Sequence, residues 1–172
     1  MRRKLPPIVF VSQLLDAAAG IANACEPLPG IVTGGQPAQQ HLAALKHAGC
    51  EVILDIREPM EPRPYRVPDA VTAAGLMYVN IPVSHGPLSD ATFDKVLQTL
   101  RALAGQKRVF FYCGSGNRVG ATLIPYLMLD QGMGEEDAVA EAVRVGMRSA
   151  GLMQEALDYV RRHPSRRDSS AT

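Results

Sequence analysis

An apolar run from Val109 to Tyr112 delivers a cysteine, Cys113, into a loop of small residues, Gly114-Ser115-Gly116-Asn117. A long helical pattern from about Arg118 to Asp130 begins where that loop ends. This reads as strand, tight loop, helix, and it places the thiol below a helix N-terminus. The unpaired amides and the positive end of the helix dipole favour negative charge there, and successive backbone N–H groups can form an anion-binding nest. Both effects stabilise a thiolate, and Arg118 adds a permanent cation with a planar fork of donors matched to an oxyanion. A buried packing role would also suit a strand-end cysteine. Gly114 and Gly116, which suit close approach or positive φ, and Arg118, which is poorly explained as core, favour an anion-binding nucleophile at Cys113.

The rest of the chain is read as the scaffold for that loop. With 172 residues, 47% of them hydrophobic, one core and one domain are expected. Residues 1–22 read as an N-terminal arm with a short helix from Ser12 to Asn23, 23–163 as an α/β domain, and 164–172 as a disordered tail. Lys+Arg 18 against Asp+Glu 17 gives a net charge of +1, so charge offers no argument for nucleic acid or a membrane surface as partner. Cys25, Cys50 and Cys113 are far apart, with no C-x-x-C pair and no histidine at ligand spacing, which argues against a disulfide scaffold or a metal site. Met1-Arg2-Arg3-Lys4 followed by Ile8-Val9-Phe10-Val11 imitates a secretory signal, but Pro6, Pro7, Gln13 and Asp16 interrupt it. A soluble cytoplasmic protein is the reading. Apolar helix surfaces serve a core or a dimer equally, so the oligomeric state stays open.

Along the chain, Ile31 to Thr33 reads as a first strand, Ala38 to Ala48 as an amphipathic helix, and Val52 to Ile56 as a strand covered on both faces. Four prolines between Arg57 and Pro68 predict a surface loop without regular structure. A short helix from Val67 to Ala74, a strand from Met77 to Ile81 and a helix capped by Ser89 and running to Ala104 follow. Past the cysteine loop, Pro125 is a candidate kink, and two more helices are expected at Glu135 to Val145 and after Ser149. The alternation predicts an α/β fold: a mostly parallel sheet of four to five strands with helices on both faces, and the Cys113 loop at its carboxyl edge.

Four blocks in order carry a resemblance: Thr33-Gly34-Gly35-Gln36-Pro37, Ile53-Leu54-Asp55-Ile56-Arg57-Glu58, Tyr78-Val79-Asn80-Ile81-Pro82-Val83, and Tyr112 to Gly120. Together they resemble the bacterial protein-tyrosine-phosphatase-like family, also described as beta-lactamase-hydrolase-like or DUF442 domains. The resemblance implies a fold similar to dual-specificity phosphatases and hydrolysis of phosphate monoesters on a phosphorylated protein or small ester. It implies Cys113 as nucleophile, Arg118 as anion clamp, and Gly114, Ser115, Gly116, Asn117 and Arg118 as the substrate cradle, with no metal and no cofactor. The sequence departs from the usual phosphatase pattern. Such enzymes carry His-Cys-x5-Arg followed by Ser or Thr, whereas here the spacing is Cys-x4-Arg, with Tyr112 for the histidine and Val119 in the hydroxyl position. The acid for the leaving group has two candidates, His85 and Asp90. Arg57 could steer an anionic substrate or form a loop ion pair, and Gln36 could reach the site or bond its own turn.

The six-residue loop from Cys113 to Arg118 is also similar to the active loop of rhodanese sulfurtransferases. Such an enzyme would carry a sulfur as a Cys113 persulfide from a sulfur donor and need no acid. A third reading is a weakly catalytic anion-binding or redox module in which Cys25 or Cys50 resolves an oxidised Cys113.

Overall fold

The computed structural model describes residues 12–164. The residues imitating a secretory signal and nearly all of the expected tail fall outside that range. The elements in order are α1 (Gln13–Ala17), β1 (Cys25–Leu28), β2 (Ile31–Gly34), α2 (Gln39–His47), β3 (Val52–Asp55), α3 (Val67–Ala73), β4 (Met77–Asn80), α4 (Asp90–Leu103), β5 (Val109–Tyr112), α5 (Asn117–Pro125), a π-helical turn (Tyr126–Asp130), α6 (Glu135–Val145) and α7 (Ala150–Arg162). The strands form one sheet in the order β1-β2-β5-β3-β4. β2, β5, β3 and β4 run parallel, and β1 pairs antiparallel to β2.

The expected α/β architecture holds, and β5 lies at its centre. Side chains alternate across a strand. Val109 and Phe111 therefore join a core with α4 to α7, while Phe110 and Tyr112 join a second core under α1, α2 and α3. Burial on both faces explains why Val-Phe-Phe-Tyr reads as an unbroken apolar run. Ser89 and Ser149 accept from the amides of Thr92 and Leu152, as N-caps of α4 and α7 should.

Three expectations are corrected. β1 was not anticipated; its Pro27 is tolerated because β1 is an edge strand. The arm helix is shorter than expected, with Ser12 capping only Gln13–Ala17. The helix after the cysteine loop stops being α-helical at Pro125, which has no N–H to give. The chain then widens to a π turn in which the Gln131 amide donates to the Tyr126 carbonyl. Among the described residues no helix is long and apolar enough to cross a membrane.

α5 sits against α6 closely enough to exclude a side chain at Gly120. A Cβ there would lie 2.5 Å from the Ala142 carbonyl oxygen and 2.9 Å from Met147 Cβ. Gly120→Ala should lower stability by about 2–3 kcal/mol, seen as a lower urea midpoint at unchanged slope.

Candidate active site

The loop after β5 is held from outside by its carbonyls. Gly114 O accepts from the Gln36 amide at 3.0 Å and Ser115 O from Asn23 Nδ2 at 2.7 Å. With these oxygens engaged from outside, the amides are the groups left to turn inward. Gly116 N donates to Cys113 Sγ at 3.2 Å. The amides of Gly114, Ser115, Asn117 and Arg118 have no acceptor among the described residues. Gly116 makes the turn into α5 with φ +96°, a conformation L side chains rarely adopt, and a Cβ there would also lie 2.5 Å from the Val145 carbonyl. The thiol of Cys113 lies at the floor of this loop, 1% exposed.

Arg118 is 2% exposed, yet it carries a full charge. Its Nη1 donates to Glu61 Oε1 at 2.5 Å and to the Val83 carbonyl at 2.9 Å, and its Nη2 donates to Glu61 Oε2 at 2.9 Å. A guanidinium has five N–H donors. Glu61 and Val83 engage three of them, all at the Nη1–Nη2 end, which leaves Nε–H and one Nη2–H on a single edge with no acceptor among the described residues. That edge has the spacing for a bidentate oxyanion. Nη2 also lies 3.7 Å from where a Cβ on Gly114 would stand, which puts it against the loop. Burial pulls the Arg118 pKa down, but the Glu61 hydrogen bonds and the neighbouring Cys113 outweigh it and leave the pKa raised. Glu61 is held well below the usual carboxylate range by its hydrogen bond to Arg118, against the opposing pull of burial.

The other predicted residues divide. Arg57 is spent rather than free: its Nε donates to Glu61 Oε2 at 2.9 Å, Nη1 to Gln36 Oε1 at 2.6 Å, and Nη2 to the Pro62 carbonyl at 2.9 Å. It braces Glu61: of the two readings of Arg57 the loop ion pair forms, and the group is not free to bind substrate. Gln36 bonds its own turn through Pro37 O while accepting from Arg57. The Asn117 side chain accepts from the amides of Arg148 and Ser149, so only its backbone N–H faces the cradle. His85 is exposed and belongs to the loop whose Val83 carbonyl holds Arg118. Asp90 is corrected. Its carboxylate is bound by Arg162 at the end of α7, whose pull keeps it ionised with a lowered pKa. The start of α7 is tied to Asn117, and 13 residues of helix put Arg162 on the order of 20 Å away.

The cysteines do not form a redox pair. Cys50 precedes β3 at the opposite end of the strands from Cys113, and burial pushes its thiol up to about 11. Cys25 pairs with Thr33, two strands from β5 and so on the order of 10 Å away, beyond the ~7 Å Cα reach of a disulfide.

Glu61 escaped the sequence reading because the Arg57–Pro68 stretch looked like exposed loop. The usable signal was Asp55, an acid closing an apolar strand, which implied buried basic partners nearby.

A rhodanese-like domain family matches residues 38–143 of this sequence, more than half of the chain. The chain belongs to the rhodanese-like domain family. Solved structures with the same fold include a DUF442 protein of Shewanella putrefaciens CN-32, with a TM-score of 0.72 at 20% identity over 87% of this chain and 98% of that one. The core catalytic domain of the PP-IP phosphatase SIW14 from S. cerevisiae has a TM-score of 0.66 at 16% identity, over 81% of this chain and 86% of that one. TpbA of P. aeruginosa in complex with pTyr has a TM-score of 0.62 at 19% identity, over 88% and 94%. No curated protein matches the chain. The cysteine-centred fold of this rhodanese-like domain is thus one shared by phosphatases.

Because folding favours ionised Glu61, its contribution to stability is complete above its ordinary value of 4.5 and is lost as pH falls toward the depressed folded value. Glu61→Gln should therefore cost about 1–2 kcal/mol at pH 7. In urea titrations the gap from the parent should stay constant above about pH 5.5 and narrow steadily below pH 4.5.

Proposed function

We propose that this protein is a cysteine-dependent phosphatase that hydrolyses phosphate monoesters through a cysteinyl-phosphate. The observation that carries the reading is the set of unengaged donors around Cys113: the amides of Gly114, Ser115, Asn117 and Arg118 and the free edge of the Arg118 guanidinium. Four amides and two guanidinium N–H groups can give two hydrogen bonds to each of the three non-bridging oxygens of a phosphoryl group.

In this reading the Cys113 thiolate attacks phosphorus as the bond to the ester oxygen breaks, and the leaving oxygen takes a proton from His85. Charge in the transition state spreads over the three equatorial oxygens, where preorganised donors act most strongly. Water then attacks the cysteinyl-phosphate, returning its proton to His85 and releasing inorganic phosphate with the thiolate restored. The gathered charges suit an anion. Arg118 and Arg57 outweigh Glu61, and the site keeps a net positive charge until the thiolate forms.

The short spacing from Cys113 to Arg118 and the rhodanese-like family match favour a second reading, sulfur transfer. There the thiolate attacks the outer sulfur of a donor such as thiosulfate, the S–S bond breaks, sulfite leaves, and the Cys113 persulfide passes its outer sulfur to a thiol or cyanide. No acid is needed.

Hydrolysis of p-nitrophenyl phosphate and thiosulfate:cyanide sulfur transfer, assayed on one preparation, separate the two. Phosphatase chemistry predicts hydrolysis that falls at least ~1,000-fold in both Cys113→Ser and Arg118→Ala, without sulfur transfer. His85→Ala should then slow phenyl phosphate by about 100-fold, and p-nitrophenyl phosphate far less, because nitrophenolate leaves without a proton. Cys113-dependent sulfur transfer with negligible hydrolysis would establish the second reading instead.

A further inference from the structure

Arg118 can present one free edge to an anion only if Glu61 is fixed, and the loop that carries Glu61 holds it by one turn of its own, in which the Glu61 amide donates to the Glu58 carbonyl at 3.1 Å and the Glu58 amide to Glu61 Oε1 at 2.9 Å. Pro59, Pro62 and Pro64 remove three amides from it, so few turn donors remain for its other carbonyls. Arg63 supplies them. Its Nη1 lies 3.0 Å from the Glu58 carbonyl, 3.2 Å from that of Pro59 and 3.2 Å from that of Glu61, so the loop wraps around one guanidinium. Nη2 of the same group donates to Asp55 Oδ2 at 3.0 Å. Asp55 is the last residue of β3, completely buried, and pairs in register with Tyr112, the residue before Cys113. Its carboxylate is fixed further by the Tyr78 hydroxyl at 2.7 Å and the Arg57 amide at 2.8 Å. Glu61 is therefore gripped at its carbonyl by Arg63 and at its carboxylate by Arg118, Arg57 and the Glu58 amide.

We infer that Asp55 and Arg63 are positioning residues for the anion seat, an ion pair built on a buried carboxylate that aims the free edge of Arg118 through Glu61. The inference rests on the reading of the Cys113 loop as an oxyanion cradle. Neither residue touches the substrate. Asp55 is anchored to the same sheet that carries Cys113, so the pair refers the orientation of Arg118 back to the strand that places the nucleophile. Lysine at position 63 keeps the charge but has no fork to span Asp55 and three carbonyls. Glu61 would then lose the anchor at its carbonyl and keep only the turn with Glu58 on its backbone, while the cradle amides, held from Asn23 and Gln36, stay in place.

The test is a double-mutant cycle on tungstate affinity, measured by calorimetry in a Cys113→Ser host, with the melting temperature of each protein recorded. Arg63→Lys should weaken tungstate binding about tenfold when Glu61 is present and less than twofold when Glu61 is already Gln, because the effect passes through Glu61. Equal weakening in both backgrounds, or none in either, would show that Arg63 only supports the fold and would overturn the inference. If Arg63→Lys does not fold, Asp55→Asn, which keeps the side-chain shape, takes its place in the same cycle: weakening that depends on Glu61 supports the inference, and weakening that does not overturns it. A Cys113→Ser host that binds no tungstate at all would remove the oxyanion cradle itself, and this inference with it.

Discussion

A guanidinium removed from water must have its N–H donors met or aimed at a ligand, and Arg118 is the point at which this structure meets that demand. Glu61 and Val83 take the donors at one end. The opposite edge is thereby fixed in direction, since a planar group held at three N–H positions cannot rotate. The same contacts anchor the proline-rich loop to the sheet. Asp55 with Arg63, and Arg57 with Glu61 and Gln36, extend the anchoring across the inward-facing charges of the loop. Such a network stabilises through completeness. Removing one member leaves a buried charge exposed to a low dielectric, which costs more than the lost contact itself.

The sheet order explains why these partners can meet. β5 lies between β2 and β3 in a parallel arrangement, so the segments leaving their carboxyl ends emerge side by side, with the one after β4 next in line. Each contributes one thing. The turn after β2 sends the Gln36 amide to Gly114, the loop after β3 brings Glu61, the segment after β4 brings the Val83 carbonyl, and the loop after β5 carries the thiol. Sites at this edge of open α/β sheets are general, because there the loops are free to vary while the strands fix where they begin.

What could be read from the sequence follows the range of the interactions. The strand–loop–helix around Cys113, the double-faced burial of β3 and the serine caps of α4 and α7 are written in neighbouring residues, and all were legible. β1 was hidden because an edge strand tolerates Glu26 and Pro27, which look like loop. The roles of Glu61 and Asp90 were hidden for another reason. Glu61 meets Arg118 across 57 positions and Asp90 meets Arg162 across 72, so neither pairing leaves a periodic trace. A proline-rich charged stretch looks solvated whether or not its charges are turned inward. Only the buried Asp55, an acid at the end of an apolar strand, hinted that they were.

The shortness of the loop from Cys113 to Arg118 bears on the chemistry through the number of donors it offers. Gly116 N is used on the sulfur itself, which leaves four amides and the free Arg118 edge. A phosphoryl group bonded to sulfur brings three oxygens into that ring of donors and can accept from all of them. A sulfane sulfur in the same position is a single, weakly accepting atom, and the three oxygens of thiosulfate would depart with sulfite. The donors surround whatever becomes attached to Cys113, not what leaves it. A cradle with this many unengaged N–H groups is therefore better matched to a phosphoryl group than to a persulfide, even though its length resembles a sulfurtransferase loop.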